Sequence, residues 1–187
     1  MPHRQRLLDL LAAHAPADAA EAADRARMIA FVQANPDCFG KANPTGHITG
    51  SAFVVDPAGR VLMTHHAKLN RWLQVGGHSE PHEHDPAQTA LREAREESGL
   101  PDLTFLGPPV PLDLDIHIIP ARKADAAHDH LDVRYALRTA QPEAIARSDE
   151  SHALRWFTLA ELAALPGSDA ANHRALAKLP ALLAADG

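Results

Sequence analysis

Aromatic residues are scarce in this chain of 187 residues, at 4%, and Cys38 is the only cysteine. A single cysteine excludes an internal disulfide and any Cys-rich zinc site, and Cys38 reads as a small, partly buried side chain. No apolar run approaches the roughly 18 residues that a membrane span needs. The N-terminus lacks the continuous apolar stretch of a leader, because Leu7 to Ala13 is short and is followed by His14 and Asp18. No block rich in Lys and Arg is present, and the net charge is -6. Nucleic-acid binding needs phosphate neutralisation, so it is disfavoured. These absences predict a cytoplasmic protein with no membrane and no stable nucleic-acid partner. A small anionic substrate stays compatible, because a bound divalent cation reverses the local field.

What is present suffices for a real core: 45% of the residues are hydrophobic. The length suits one domain with decorations, or two small ones. Residues 4 to 34 read as helical, with Leu7, Leu8 and Leu11, then Met28, Ile29 and Val32, at helical spacing. Pro16 divides them into two helices, and Asn35-Pro36 ends the second. Beyond a linker at Pro44-Thr45-Gly46 the texture changes to strands. His47 to Asp56 and Arg60 to His65 flank a Pro57-Ala58-Gly59 turn. Leu103 to Leu106, Leu112 to Ile119, Val133 to Leu137 and Leu154 to Phe157 are further strands. In Leu112 to Ile118 apolar and polar residues alternate, the period of a half-buried strand. Arg122 to Asp129 reads as a loop. Leu159 to Ala164 and Ala170 to Leu183 read as helices. Residues 1–45 are therefore expected to be a helical appendage, 46–165 the main domain and 166–187 a helix packed on it.

One helix carries chemistry. Asp85 can cap it, Pro86 suits its first position and Gln88 can close a capping box. Ser98-Gly99-Leu100-Pro101 stops it. Ala87, Ala90, Leu91 and Ala94 make an apolar stripe. Glu93, Glu96 and Glu97 stand at i, i+3 and i+4 and share one face, a spacing that destabilises a helix by ~0.2–0.5 kcal/mol per like-charged pair. Such a trio is either a solvated acidic face, relieved by Arg92 and Arg95, or a carboxylate cluster for hard divalent cations.

The preceding loop decides between them. Gly76-Gly77-His78-Ser79-Glu80-Pro81-His82-Glu83-His84, followed by this helix, closely resembles the signature of the Nudix hydrolases. That pattern is a glycine, five residues, a glutamate, seven residues, then Arg-Glu-apolar-x-Glu-Glu-x-Gly-apolar. Gly77 is followed by five residues and Glu83, and Arg92 to Leu100 matches the second half in full. Eight residues, not seven, separate Glu83 from Arg92. Glu83, His84 and Asp85 therefore compete for the loop-glutamate position. The resemblance extends over roughly residues 46 to 165. Trp72-Leu73-Gln74-Val75-Gly76-Gly77-His78 resembles a branch of the family, as do Asp113 to His117 and His128 to Tyr135. Trp156-Phe157 with Glu161-Leu162 resembles the end of the domain. The resemblance implies an α/β (α+β) fold, a mixed β-sheet sandwiched between helices.

It also implies a pyrophosphohydrolase that uses Mg2+ or Mn2+ to cleave the diphosphate of a nucleoside diphosphate linked to another group. Glu93 and Glu97 are then the principal metal ligands, and Glu96 is a ligand or a water-positioning base. Arg92 orients a carboxylate, and Gly76 and Gly77 let the backbone turn close to the site. Glu150, or Asp149 in its place, is the candidate further ligand or general base. His78 is placed to bind metal or a phosphate oxygen. His82 and His84 read as solvated loop residues, with a zinc site on His78, His82 and His84 as the competing use. His117, His128 and His130 read as strand-edge residues or as the lining of a substrate pocket. A non-catalytic ligand sensor on the same fold is the competing function. An isomerase is disfavoured, because Cys38 lies outside the matched region. Stacking platforms for a base are limited to Trp72, Tyr135, Trp156 and five phenylalanines. Residues 1–45 can cover the site, form a homodimer interface or cap the core.

Overall fold

The computed structural model describes residues 2–67, 70–121, 126–147, 151–166 and 168–186. In chain order they form α1 (Pro2–Ala13), α2 (Ala19–Ala34), β1 (Gly46–Val55), β2 (Val61–His66), β3 (Arg71–Leu73), β4 (Val75–His78), α3 (Pro86–Ser98), β5 (Thr104–Phe105), β6 (Asp113–Ile119), β7 (His128–Arg138), β8 (Ser151–Phe157), α4 (Leu159–Ala163) and α5 (Ala170–Asp186). The expected mixed sheet packed between helices is present, with two helices ahead of it. No helix among the described residues is long and apolar enough to cross a membrane.

β1 organises the sheet. It runs parallel to β7 over ten residue pairs, from Gly46 opposite Asp129 to Val55 opposite Arg138. Its other edge is divided: Val54 and Val55 pair with β2, whereas Thr49 to Ala52 pair with β4. β6 and β5 pair antiparallel to β7, and β8 and β3 to β2. Successive side chains on a strand point to opposite faces. Ile48, Ala52 and Val54, with Leu131, Val133, Tyr135 and Leu137, therefore join Leu114 in one core with α1, α2 and the alanines of α3. Phe53, Val55 and Ala136 face the other way, into a second core closed by Leu162 of α4 and Leu176 and Leu179 of α5. α3 rests directly on β1 at Gly50, where a side-chain carbon would collide with the Pro86 carbonyl and the Ala90 nitrogen.

Several local expectations change. β7 starts at His128, inside the expected loop, because its pairing with β1 already begins at Asp129; the first half of that loop, 122–125, lies outside the described residues. β5 shrinks to two residues and β8 extends back to Ser151. β3 and β4 were not anticipated, since a Gly-Gly pair and a Gln read poorly as strand. Asp85 caps α3 by accepting the Ala87 N–H at 2.9 Å, and Gln88, expected to complete a box, is exposed.

The helices outside the sheet are tied together by Glu21 of α2, which is fully buried. Its carboxylate accepts from the Ala17 N–H at 2.6 Å, the Leu114 N–H at 3.1 Å and Lys178 Nζ at 2.6 Å, and contacts His14 Nε2 at 2.7 Å. Lys178 also reaches Asp113 at 2.7 Å, and Arg174 grips the same Asp113. One polar knot thus joins α2, β6 and α5. Burial pushes the Glu21 carboxyl up, but the bonds from Ala17, Lys178 and His14 outweigh it and hold the pKa at about 2. Because the folded value is depressed, the stabilisation is complete above the ordinary value of 4.5 and is lost as pH falls toward about 2. Glu21→Gln is expected to cost about 3 kcal/mol at neutral pH, the stabilisation that the depressed carboxyl pKa represents. Urea unfolding should show that gap at neutral pH and a convergence of the two proteins near the folded pKa. A gap independent of pH would remove the ionic origin.

Candidate active site

The site is built where the divided edge of β1 leaves β4 beside α3. Asp85, Pro86 and the alanine stripe fix the start and the rotation of α3, and Gly99, at φ 70°, ends it. Ala90 and Ala94 are fully buried, which turns Glu93 and Glu97 toward β4. The Gly76 N–H donates to Glu97 Oε1 at 3.1 Å. Gly77 lies so close to α3 that a side-chain carbon there would fall 2.6 Å from the Glu93 carboxyl carbon. The glycine pair is thus a space requirement as well as a turn. Glu93 and Glu97 are half-buried, whereas the Glu96 side chain is 60% exposed.

Arg92 gathers the loop and the helix. Its Nε and Nη2 donate to the two oxygens of Glu83 at 2.9 and 3.1 Å. Nη2 also donates to Glu93 at 3.0 Å and to the His78 carbonyl at 2.7 Å, and Nη1 to Glu96 at 2.9 Å. A guanidinium is suited to this because its donors form a rigid fork. Glu83 is the buried loop carboxylate: it also accepts the Glu80 N–H at 3.0 Å and the Thr89 hydroxyl at 3.3 Å. Burial pushes its pKa up, but the Arg92, Glu80 and Thr89 bonds prevail and hold it below the ordinary carboxylate value. Of its two competitors, Asp85 is the helix cap and the His84 ring packs against His3 and Phe39.

A cleft of about 1250 Å³ opens from Glu93, Glu96 and Glu97 across the second face of the sheet. Its floor is polar. Asp132 accepts from Thr49 Oγ1 at 3.0 Å and Ser51 Oγ at 2.6 Å. Arg134, fully buried, donates to Asp132 at 3.2 Å and to Asp115 at 2.7 Å. Burial alone would lower the pKa of Arg134, but Asp132, Asp115 and Asp113 raise it. Lys41, Arg71, Gln74, His78, His117 and His130 also line the cleft. Asp115 and the His128–Tyr135 stretch stand out in the sequence by resemblance, but nothing there assigns a role to Asp132, Arg134, Thr49 or Ser51. The available signal was the alternation along β1, β6 and β7, which puts these polar residues on one face.

The histidines regroup. His78 does not join His82 and His84. Its Nε2 lies 3.2 Å from His130 Nε2, and its ring lies 4.9 Å from that of His47. His82 is exposed. Burial, then neighbouring positive groups, lowers the pKa of His47 and of His78 to about 4 and that of His130 to about 2. The anticipated stacking platforms are also largely spent on packing. Tyr135 is fully buried, Trp72 packs edge-on to Phe157 and Trp156 donates to the Pro142 carbonyl. Glu150 and Asp149 lie outside the described residues.

The chain matches the NUDIX domain over residues 46–179. No curated protein matches it. Among solved structures it is similar to a NUDIX-family hydrolase from Clostridium perfringens, at 28% identity and a TM-score of 0.55, over 73% of this chain and 97% of that one. It is similar to an Ap4A hydrolase from C. elegans, at 18% identity and a TM-score of 0.54, over 74% of this chain and 98% of that one. It is also similar to the NUDIX domain of Shewanella oneidensis NrtR complexed with ADP ribose, at 18% identity and a TM-score of 0.51, over 80% and 93% of the two chains. Arg92→Lys keeps the charge of the clamp without its fork. Its divalent-cation affinity, measured by titration calorimetry, should fall ~10–100-fold with the fold unchanged. Unaltered affinity would show that Arg92 does not position the carboxylates.

Proposed function

This chain belongs to the Nudix family, hydrolases that act on phosphoanhydride bonds, and on that premise we propose a divalent-metal-dependent pyrophosphohydrolase that cleaves the diphosphate of a nucleoside diphosphate linked to another group. The observation that carries this reading is the convergence of Glu93 and Glu97 with the Gly76–Gly77 turn at the mouth of a large polar cleft. The donor set of α3 is carboxylate oxygen throughout, which fits Mg2+ or Mn2+. Glu93 and Glu97 would hold the cation, and Glu96, exposed beside them, would be a further ligand or orient water. When bound, the metal neutralises phosphate charge and acidifies water.

The chain's own residues do the rest. Arg92 fixes Glu93 and Glu83 and so lowers the cost of ordering the site when substrate arrives. The Gly76 N–H keeps Glu97 oriented. Lys41 and Arg71, on the cleft walls, offer positive charge to a phosphate chain. The Asp132–Arg134–Asp115 floor supplies fixed acceptors for the hydroxyl and amide groups of a sugar or base. His78 and Glu83 complete the loop side, and Glu150 is retained as the candidate general base. In this reading residues 46–165 are the hydrolase domain, residues 1–45 are appended helices and residues 166–187 carry the closing helix.

Glu97→Gln should abolish Mg2+-dependent turnover while circular dichroism stays native. The assay is phosphate or nucleotide release from a panel of dinucleotides, sugar nucleotides and oxidised nucleotides. Turnover that persists in the variant would sink the metal assignment. Tight binding across the panel with no turnover by the parent chain would instead establish a ligand sensor.

A further inference from the structure

At the end of the sheet where β1 and β7 begin, four histidine rings meet, and the hydrolytic reading above uses only one of them. His47 stands directly opposite His130 in the parallel β1–β7 register, and His128 shares the face of His130 two residues earlier. One ligand nitrogen from each of His47, His128 and His130 lies within 4.8 Å of the others. The His47 ring is 5.2 Å from that of His128 and 4.9 Å from that of His130, centre to centre. His78 adjoins them through its contact with His130.

Two further observations point to a ligand. His47 is fully buried, yet neither of its ring nitrogens has a hydrogen-bond partner among the described residues. An unsatisfied buried polar atom costs ~1–3 kcal/mol, and His47 carries two. His128 Nδ1 lies 2.9 Å from the Ala126 carbonyl. A carbonyl only accepts, so Nδ1 bears the proton and Nε2 carries the free lone pair. A ring N–H donated to a backbone carbonyl, with the other nitrogen left open, is the usual arrangement of a metal-ligating histidine.

We propose that His47, His128 and His130 form a second metal site, separate from the carboxylates of α3, that takes a borderline divalent ion of the zinc class. Imidazole nitrogen suits zinc, copper or nickel far better than Mg2+. Zinc–nitrogen bonds of ~2.0–2.1 Å put tetrahedral donors about 3.3 Å apart, so the three rings close on the ion by modest side-chain rotation. The ion satisfies one of the stranded His47 nitrogens and fastens the first turn of β1 to that of β7. His78 acts as a positioning residue, holding the His130 ring. The site stands independently of the hydrolytic reading.

The test uses the full chain without a polyhistidine tag, stripped with chelator and titrated with Zn2+ and with Co2+ as a visible probe. One equivalent of zinc should bind in the presence of excess Mg2+, and Co2+ should give d–d absorption. His128→Ala, at a half-buried position, should leave the circular dichroism native and weaken this binding by about 100-fold or more. The double variant Glu93→Gln, Glu97→Gln should keep it. His47→Ala, if it folds, should behave as His128→Ala does. No zinc binding by the parent chain, binding indifferent to His128→Ala, or binding lost in the glutamate double variant would each overturn the site.

Discussion

The parallel pairing of β1 with β7 is the constraint on which everything else depends. Side chains alternate along both strands, so one register decides which residues meet the helices and which meet the cleft. With Ile48 opposite Leu131 and Val54 opposite Leu137, apolar residues fall under α1, α2 and α3. The same register puts Thr49 and Ser51 beside Asp132, and His47 beside His130. A slip of one residue would send aspartates into the core and leucines into the cleft. The buried hydrogen bonds of Asp132 and the burial of every β1 residue both oppose that slip.

Two arginines organise the charge above and below this framework, under different conditions. Arg92, partly exposed, collects Glu83, Glu93 and Glu96 in a region open to water. Arg134, buried, stands among Asp113, Asp115 and Asp132. Breaking a buried ion pair by removing one partner costs ~3–5 kcal/mol, whereas exposed pairs contribute far less. The floor of the cleft is therefore held far more rigidly than its acidic rim.

Local chemistry made α3 legible in the sequence. Its cap, first proline, alanine stripe and terminal glycine are all short-range signals, and they fixed the face shared by Glu93, Glu96 and Glu97. The glycine pair was readable for the same reason, although its steric duty against Glu93 emerged only in three dimensions. Contacts that depend on distant pairing were not readable. Glu21 looked like one more charge in an alanine-rich helix, yet its partners include Leu114 and Lys178, remote in sequence. His47 sat at a strand start with nothing local to link it to His128 and His130. Tyr135 and Trp156 illustrate the opposite error: an aromatic residue in a sparse sequence attracts a binding role, while the core takes it first.

The segment joining α2 to β1 lies outside the stretch that matches the NUDIX domain, yet Asp37, Phe39, Gly40, Lys41 and Ala42 form part of the cleft wall. Cys38 and Phe39 are at the same time buried in the larger core, beside Leu7, Leu11, Met28 and Val32. The family domain and the cleft therefore have different borders here. A chimera that exchanges the matched domain between relatives would carry the hydrolase domain across but leave one wall of the cleft behind. In this molecule, the shape of the cleft can drift by changes in a stretch that a comparison restricted to the shared domain would never align.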